Sequence, residues 1–237
     1  MKIIIDQKSV QRNATIGKIL RWVSLGCILI GLIAVFSEDI FSNTNLFTIF
    51  FSIMIIGVLL SSVSGFFTSR FGKSPRPDEL INKTFKGLDD RFQIFHYRSS
   101  IPHLLIGPTG IWSIIPTFID GEILYDENKE NWSHKRNSIL KKFLQKEYFP
   151  NPVSEYKHNK KDLEKILKEK TNIDNNPELK LLVLLLNKNV LLSGISEKDN
   201  ILIMPSEKVK DRFRKMAKNN SHSDEFYTIL EDLLEIK

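Results

Sequence analysis

Two long uncharged stretches near the N-terminus limit this chain's fold more than any other feature. From Trp22 to Ser37 there is no charged residue, and Ile16 to Leu20 extend the apolar run. Together they give about 20 residues, the length needed to cross a hydrocarbon core. From Ile40 to Ser69 there is again no charge, and Leu46 to Phe67 is its most apolar part. Two adjacent uncharged runs of this length, neither with a polar face, argue against buried helices of a soluble core. A cleaved signal peptide has a shorter apolar core and a small-residue cleavage site after it. Here the first run is followed by Ser37-Glu38-Asp39 and then a second long run. The expectation is a transmembrane hairpin of helices 16–36 and 46–67 with a short external loop, 37–45. An N-terminal arm, 1–15, precedes it, and a basic, proline-containing linker, 68–77, leads to one soluble domain, 78–237.

Charge supports this and orients it. Residues 1–77 hold eight Lys/Arg (Lys2, Lys8, Arg12, Lys18, Arg21, Arg70, Lys73, Arg76) and three acids (Asp6, Glu38, Asp39), a net of +5. Residues 78–237 net only +1. The basic character thus flanks the apolar runs, where anionic lipid headgroups would meet it. A nucleic-acid-binding domain carries its own positive excess, and this domain has almost none overall. The 37–45 loop has no base, whereas both outer flanks are rich in them. Short basic flanks stay inside, so both termini are expected on the cytoplasmic side of the plasma (inner) membrane. Trp22 and Lys18 with Arg21 suit the headgroup level. The small residues Gly26, Gly31, Gly57, Ser61, Ser62, Ser64 and Gly65 suit close helix packing. The bilayer is therefore one partner, with anionic lipid at the basic flanks a further one. No ionisable residue lies mid-span, so no ion pathway is suggested. The single cysteine, Cys27, cannot make an intrachain disulfide and reads as a packing residue.

The soluble domain mixes periodicities. Asp78 reads as a helix N-cap, with Leu80, Ile81, Thr84, Phe85 and Leu88 at helical spacing behind it. Strands are expected at 92–97, 103–106, 111–115 and 120–125, with a short piece around Trp132. Gly107-Pro108-Thr109-Gly110 is a tight turn, Pro setting one φ and Gly permitting a positive one. Pro116 is expected to end its strand or bulge it. Helices are expected at 138–148, 153–170, 206–216 and 223–236. The run Leu179 to Leu186 suits a strand buried on both faces, and Ile201 to Met204 suits an edge strand.

This order, with Glu79 on the first helix and the hairpin Ile101-Pro102-His103-Leu104-Leu105-Ile106-Gly107-Pro108-Thr109-Gly110-Ile111-Trp112, resembles the nuclease-related (NERD) domain. That family is a branch of the PD-(D/E)xK restriction-endonuclease-like fold, and the resemblance covers about residues 78–215. It implies a mixed α/β sheet flanked by helices. With two membrane helices ahead of it, the chain is similar to a bacterial membrane-bound subgroup with degenerate chemistry. In the family, an aspartate and a Glu-x-Lys on successive strands hold Mg²⁺ and position a water. Here the aspartate position is Pro102, the glutamate Ile115 and the lysine Thr117, and only Glu79 matches. The resemblance thus implies the fold without the activity. No catalytic, metal-binding or cofactor-binding residue is expected and no cofactor, and the chain reads as a non-catalytic interaction or scaffold module.

The rival reading is a membrane-bound Mg²⁺-dependent nuclease with relocated ligands. Asp120 and Glu122, two apart on a strand, would then join Glu79; otherwise they are a solvated strand face. His103 reads as a structural residue. His96, His134, His158 and His222 show no ligand spacing. Asp89-Asp90 reads as a turn. No Gly-Lys-Ser/Thr follows Gly107–Gly110, and Ser193-Gly194 lacks a nucleophile-elbow context. Residues 129–170 net +6, and 207–218 are also basic. These leave anionic lipid or nucleic acid as contacts, or simply solvated helix faces balanced by the acids at 224–235.

Overall fold

The computed structural model describes residues 1–135, 149–170 and 178–219. Contacts divide the chain into two units. One is Gln7–Glu79, and the other joins Met1–Asp6 to the chain from Leu80 onward. The helices expected at 138–148 and 223–236, and His222, lie outside the described residues.

The first unit is a helical hairpin. α1 (Gln7–Val35) has 29 residues, α2 (Glu38–Ser42) is a short helix in the connection, and α3 (Thr44–Phe67) has 24. A π-helical turn, Thr68–Gly72, follows directly. α1 and the helical run opened by α3 are long and apolar enough to cross a membrane by length and composition. α1 starts nine residues earlier than the apolar run alone indicates, because Gln7 to Thr15 contains no helix breaker. The 37–45 connection is partly helical, and the side chain of Asn43 caps α3 by accepting from the amides of Asn45 (3.1 Å) and Leu46 (3.3 Å).

Val10, Gly17, Ser24 and Gly31 of α1 are buried, seven residues apart, as are Gly57 and Ser64 of α3. A seven-residue repeat keeps one seam facing the neighbouring helix when the pair coils left-handedly. A Cβ on Gly31 would lie 2.5 Å from the Met54 Cβ, and one on Gly57 would lie 2.9 Å from the Cys27 Cβ. The backbones therefore touch where these glycines stand, and Cys27 is a packing residue there. Ser64 Oγ donates to the Gly17 carbonyl across the seam (2.9 Å), and Arg21 donates to Thr68 Oγ1 (2.8 Å). Not every small residue serves this packing. Gly26 and Gly65 have open space where a side chain would be, and Ser61 and Ser62 are exposed. Trp22, Ile33 and Leu59 point outward.

The second unit is mixed α/β. Its large sheet has seven strands in the order β1 (Lys2–Ile5), β2 (Gln93–His96), β3 (His103–Gly107), β4 (Gly110–Thr117), β7 (Leu179–Leu185), β10 (Ile201–Pro205) and β9 (Glu197–Lys198). β2, β3 and β4 form an antiparallel meander. β7 runs parallel to β4, and β10 runs parallel to β7. A smaller sheet has the order β6 (Asn131–Lys135), β5 (Gly121–Asp126) and β8 (Val190–Ser193). Lys198 of β9 donates to the Tyr125 hydroxyl of β5, tying the two sheets together. That hydrogen bond holds the lysine's pKa above its ordinary value.

Alternation along the strands decides which element covers which face. Ile94, Leu105, Trp112, Ile114, Leu182 and Leu184 meet Ile81 and Phe85 of α4 (Pro77–Phe85) and Val209, Phe213 and Ala217 of α6 (Ser206–Asn219). On the opposite face Leu104, Ile106, Ile111 and Leu179 meet Leu163 and Leu167 of α5 (Pro152–Lys170). Further along that face, Leu181, Val183, Leu185 and Ile203 meet Ile123 and Trp132 of the small sheet. β7 is buried on both faces, as its apolar run, interrupted only by Lys180, indicates.

Three expectations are corrected. Residues 1–15 are not a free arm, since Lys2–Ile5 pair in parallel with Gln93–His96 as the edge strand of the sheet. β10 is interior, because the two-residue β9 pairs outside it. Pro116 neither ends nor bulges β4, which runs on to Thr117. The Leu186 amide donates to the Thr117 carbonyl (2.9 Å), so the odd-numbered backbone groups of β4 face β7. Pro116 therefore turns its missing donor toward β3, whose pairing with β4 ends at Leu104↔Ser113.

Candidate functional site

The four positions of the family's metal site can be followed one at a time. Pro77 opens α4, which makes Arg76 the N-cap and places Glu79 at the third helical position. The Glu79 carboxylate accepts from the Arg76 amide (3.1 Å) and the Ser74 hydroxyl (2.7 Å), with the Arg76 guanidinium 3.4 Å away. This is the reach-back half of a capping box. Asp78 is not the N-cap expected from sequence. It lies one position inside the helix, is fully buried, and accepts two parallel bonds from Arg76 at 3.0 Å each.

The other three positions hold no acid or lysine. Pro102 is exposed, and its carbonyl accepts from the Tyr97 amide (2.8 Å), closing the β2–β3 connection. Ile115 packs against the cluster beneath the small sheet, and Thr117 is buried at the end of β4. The alternative acids do not form a strand pair. Gly121, at φ +102°, begins β5, so Asp120 precedes the strand, and its carbonyl accepts from His134 Nε2 (2.6 Å). Glu122, on β5, accepts from the Ser193 hydroxyl of neighbouring β8 (2.8 Å). Among the described residues no three His, Cys, Asp or Glu side chains converge as a metal site.

What the fold does bring together is a histidine pair. His96 ends β2, His103 begins β3, and the antiparallel register sets them opposite each other. Both are buried, and their Nδ1 atoms are 2.9 Å apart. A single proton lies between two such nitrogens, so one ring donates and the other accepts. His96 Nε2 is 2.9 Å from Asn82 Oδ1 of α4. Donation to that oxygen leaves the neutral His96 ring accepting at Nδ1 from His103. The ring of Tyr97, whose φ is +60°, packs edge-on against His103. The sequence signal for this pair was the seven-residue spacing across a hairpin, which a search for metal-ligand spacing passes over. His158 lies 3.8 Å from Asp162 on the exposed side of α5.

The Gly107–Gly110 turn is structural. Gly110 has φ +103°, and a Cβ on Gly107 would lie 2.5 Å from the Phe92 ring. Trp112 Nε1 donates to the Thr109 carbonyl (3.2 Å) and hydroxyl (3.1 Å), fixing the turn to β4. Asp89 is held by Arg91, whose hydrogen bonds lower the carboxyl's pKa below its ordinary value. The outer face of α6 carries Lys208, Arg212, Arg214, Lys215 and Lys218. Part of it is internally paired, with Arg212 on Glu197 (2.7 Å) and Arg214 on the Gly87 carbonyl (2.7 Å).

Comparison with protein-family models, with curated proteins and with solved structures gives no match.

Proposed function

We propose that this chain is a membrane-anchored interaction or scaffold module built on a NERD-like, restriction-endonuclease-like framework that has no metal chemistry. The observation that carries the reading is the employment of Glu79. Its carboxylate already accepts from Ser74 and Arg76 as a helix cap, while Pro102, Ile115 and Thr117 offer no replacement ligands. A Mg²⁺ site needs several converging oxygens. The framework reading is supported by the order α4, antiparallel β2–β3–β4, α5, and then β7 parallel beside β4.

The hairpin anchors the chain in the plasma (inner) membrane, with both of its outer flanks cytoplasmic. The charge pattern supports this. So does β1, which precedes the hairpin yet pairs with β2, which follows it. One sheet built from both flanks requires an even number of crossings between them. Anionic headgroups meet the bases of those flanks.

The test is Mg²⁺- and Mn²⁺-dependent cleavage of DNA by the full chain in lipid nanodiscs, together with isothermal titration of either ion. The full chain is needed, because a fragment starting at Ser74 would lack β1. No cleavage and no saturable heat are expected. Metal-dependent cleavage abolished by Glu79→Gln would overturn the reading in favour of a nuclease with relocated ligands.

A further inference from the structure

We propose that β1 is a dimerisation strand that pairs antiparallel with β1 of a second copy of this chain, joining two seven-stranded sheets edge to edge.

β1 is the terminal strand of the large sheet, and among the described residues β2 is the one element that runs alongside it. The amides of Lys2 and Asp6 donate to the Phe92 and His96 carbonyls of β2 (2.9 and 3.0 Å). Backbone groups alternate along a strand, so residues 2, 4 and 6 face β2. Ile3 and Ile5 present their N–H and C=O groups to the open edge. Ile3 is also 45 % exposed. An apolar edge that no described strand covers is a template for another strand. The opposite edge of the sheet offers much less, since β9 has two residues, Glu197 and Lys198.

The segment Lys2-Ile3-Ile4-Ile5-Asp6 is self-complementary about Ile4. In an antiparallel pair centred there, Ile3 lies opposite Ile5 of the second copy, and Ile5 opposite Ile3. These are the residues with free edges, so both pairs are hydrogen-bonded and exchange four N–H···O bonds in all. Ile4 then meets Ile4 at the two-fold axis. Lys2 meets Asp6 at each end. The last three contacts fall at non-hydrogen-bonded positions, where side chains approach most closely. A lysine on an edge strand ordinarily discourages pairing. Here the residue it would oppose is an aspartate. A shift of one residue either way would break both the charge match and the hydrogen-bond phase. A two-fold contact of this kind closes at two copies and does not propagate. The inference is independent of the nuclease-like reading, since it uses only β1 and its register on β2.

The test is disulfide cross-linking of the full chain in nanodiscs or detergent, with Cys27→Ser as background. Ile4→Cys should form a covalent dimer under mild oxidation, because the paired Cα atoms would be about 4.5 Å apart. Ile3→Cys and Ile5→Cys should each fail alone and cross-link when the two variants are co-expressed. Lys2→Asp or Asp6→Lys alone should weaken dimerisation roughly tenfold or more, by placing like charges at both ends. The double exchange, Lys2→Asp with Asp6→Lys, should restore it. A monomer at all concentrations would overturn the proposal, as would cross-linking in another register or a double exchange no better than the single ones.

Discussion

His96 and His103 face each other across β2 and β3 with their Nδ1 atoms 2.9 Å apart, and Asn82 of α4 holds the far nitrogen of His96. The pair fixes the start of the meander by a hydrogen bond that works only while one ring accepts. Replacing His103 with Ala leaves the His96 Nδ1 without this partner and opens space beside Tyr97. The expected loss is about 2–4 kcal/mol. His96→Leu with His103→Leu should lose less than the sum of the two single changes. Urea titration of the full chain in micelles, followed by tryptophan fluorescence, measures both.

The turn between β3 and β4 makes a second prediction. Gly110 has φ +103° and open space around it. Gly110→Val should therefore destabilise through backbone strain alone, by about 1 kcal/mol or more. Gly107→Ala fails for a different reason, because its methyl would meet the Phe92 ring. A combined Gly107→Ala, Phe92→Leu variant should recover part of the loss, while no change at Phe92 should rescue Gly110→Val. Thermal unfolding of the variants separates the two cases.

Within the hairpin, the glycines divide by position. Gly31→Leu should force α1 and α3 apart, because the first added carbon already lies 2.5 Å from Met54. Gly26→Leu should be tolerated, having nothing within 4 Å. Ser64→Ala removes one inter-helix hydrogen bond, an effect of about 0.6 kcal/mol. The readout is the half-life of the folded chain in detergent at raised temperature, expected to drop sharply for Gly31→Leu alone.

Glu79 predicts a dissociation between stability and chemistry. Glu79→Ala removes the cap of α4 and should cost about 1 kcal/mol. Glu79→Gln keeps an oxygen in place and should lose less. If the scaffold reading holds, the capture of any partner by the two variants follows their stability and not their charge. A partner lost with Glu79→Gln while the melting point is unchanged would contradict it.

Where the sequence was legible and where it was not follows from the range of each signal. The run Leu179 to Leu186 announces a strand covered on both faces because its own composition carries that information. The Gly107–Gly110 turn is local in the same way. β1 is different. Lys2–Ile5 are four residues whose partners lie about ninety positions away, and nothing beside them in sequence indicates pairing. The tolerance of Pro116 is not local, because it depends on where β3 stops and not on β4 itself. At the candidate site the empty positions Pro102, Ile115 and Thr117 were readable as residue types. The capping role of Glu79 needed the geometry of Ser74 and Arg76. The His96–His103 contact needed the hairpin register. Alternation places Asp120 and Glu122 on one face only if both lie in the strand, and Gly121, with its positive φ, starts β5 after Asp120.

β1 and topology give a final prediction. Deleting residues 2–5 should expose the β2 edge and lower the stability of the α/β unit. Reporters placed at either terminus should report the same side of the membrane, and three lysines moved into the 37–45 loop should weaken that preference. Opposite readouts from the two termini would be incompatible with the β1–β2 pairing.

That pairing also has a consequence during synthesis. β1 is made long before β2, with the entire hairpin between them, so on the proposed topology the edge strand stays unpaired until α1 and α3 have both entered the bilayer. A chain whose hairpin crossed the membrane once in place of twice would strand Lys2–Ile5 on the far side and leave the β2 edge bare. On that topology, completion of the sheet would act as a check on insertion, since only a molecule with both crossings made could close its own first strand onto the rest.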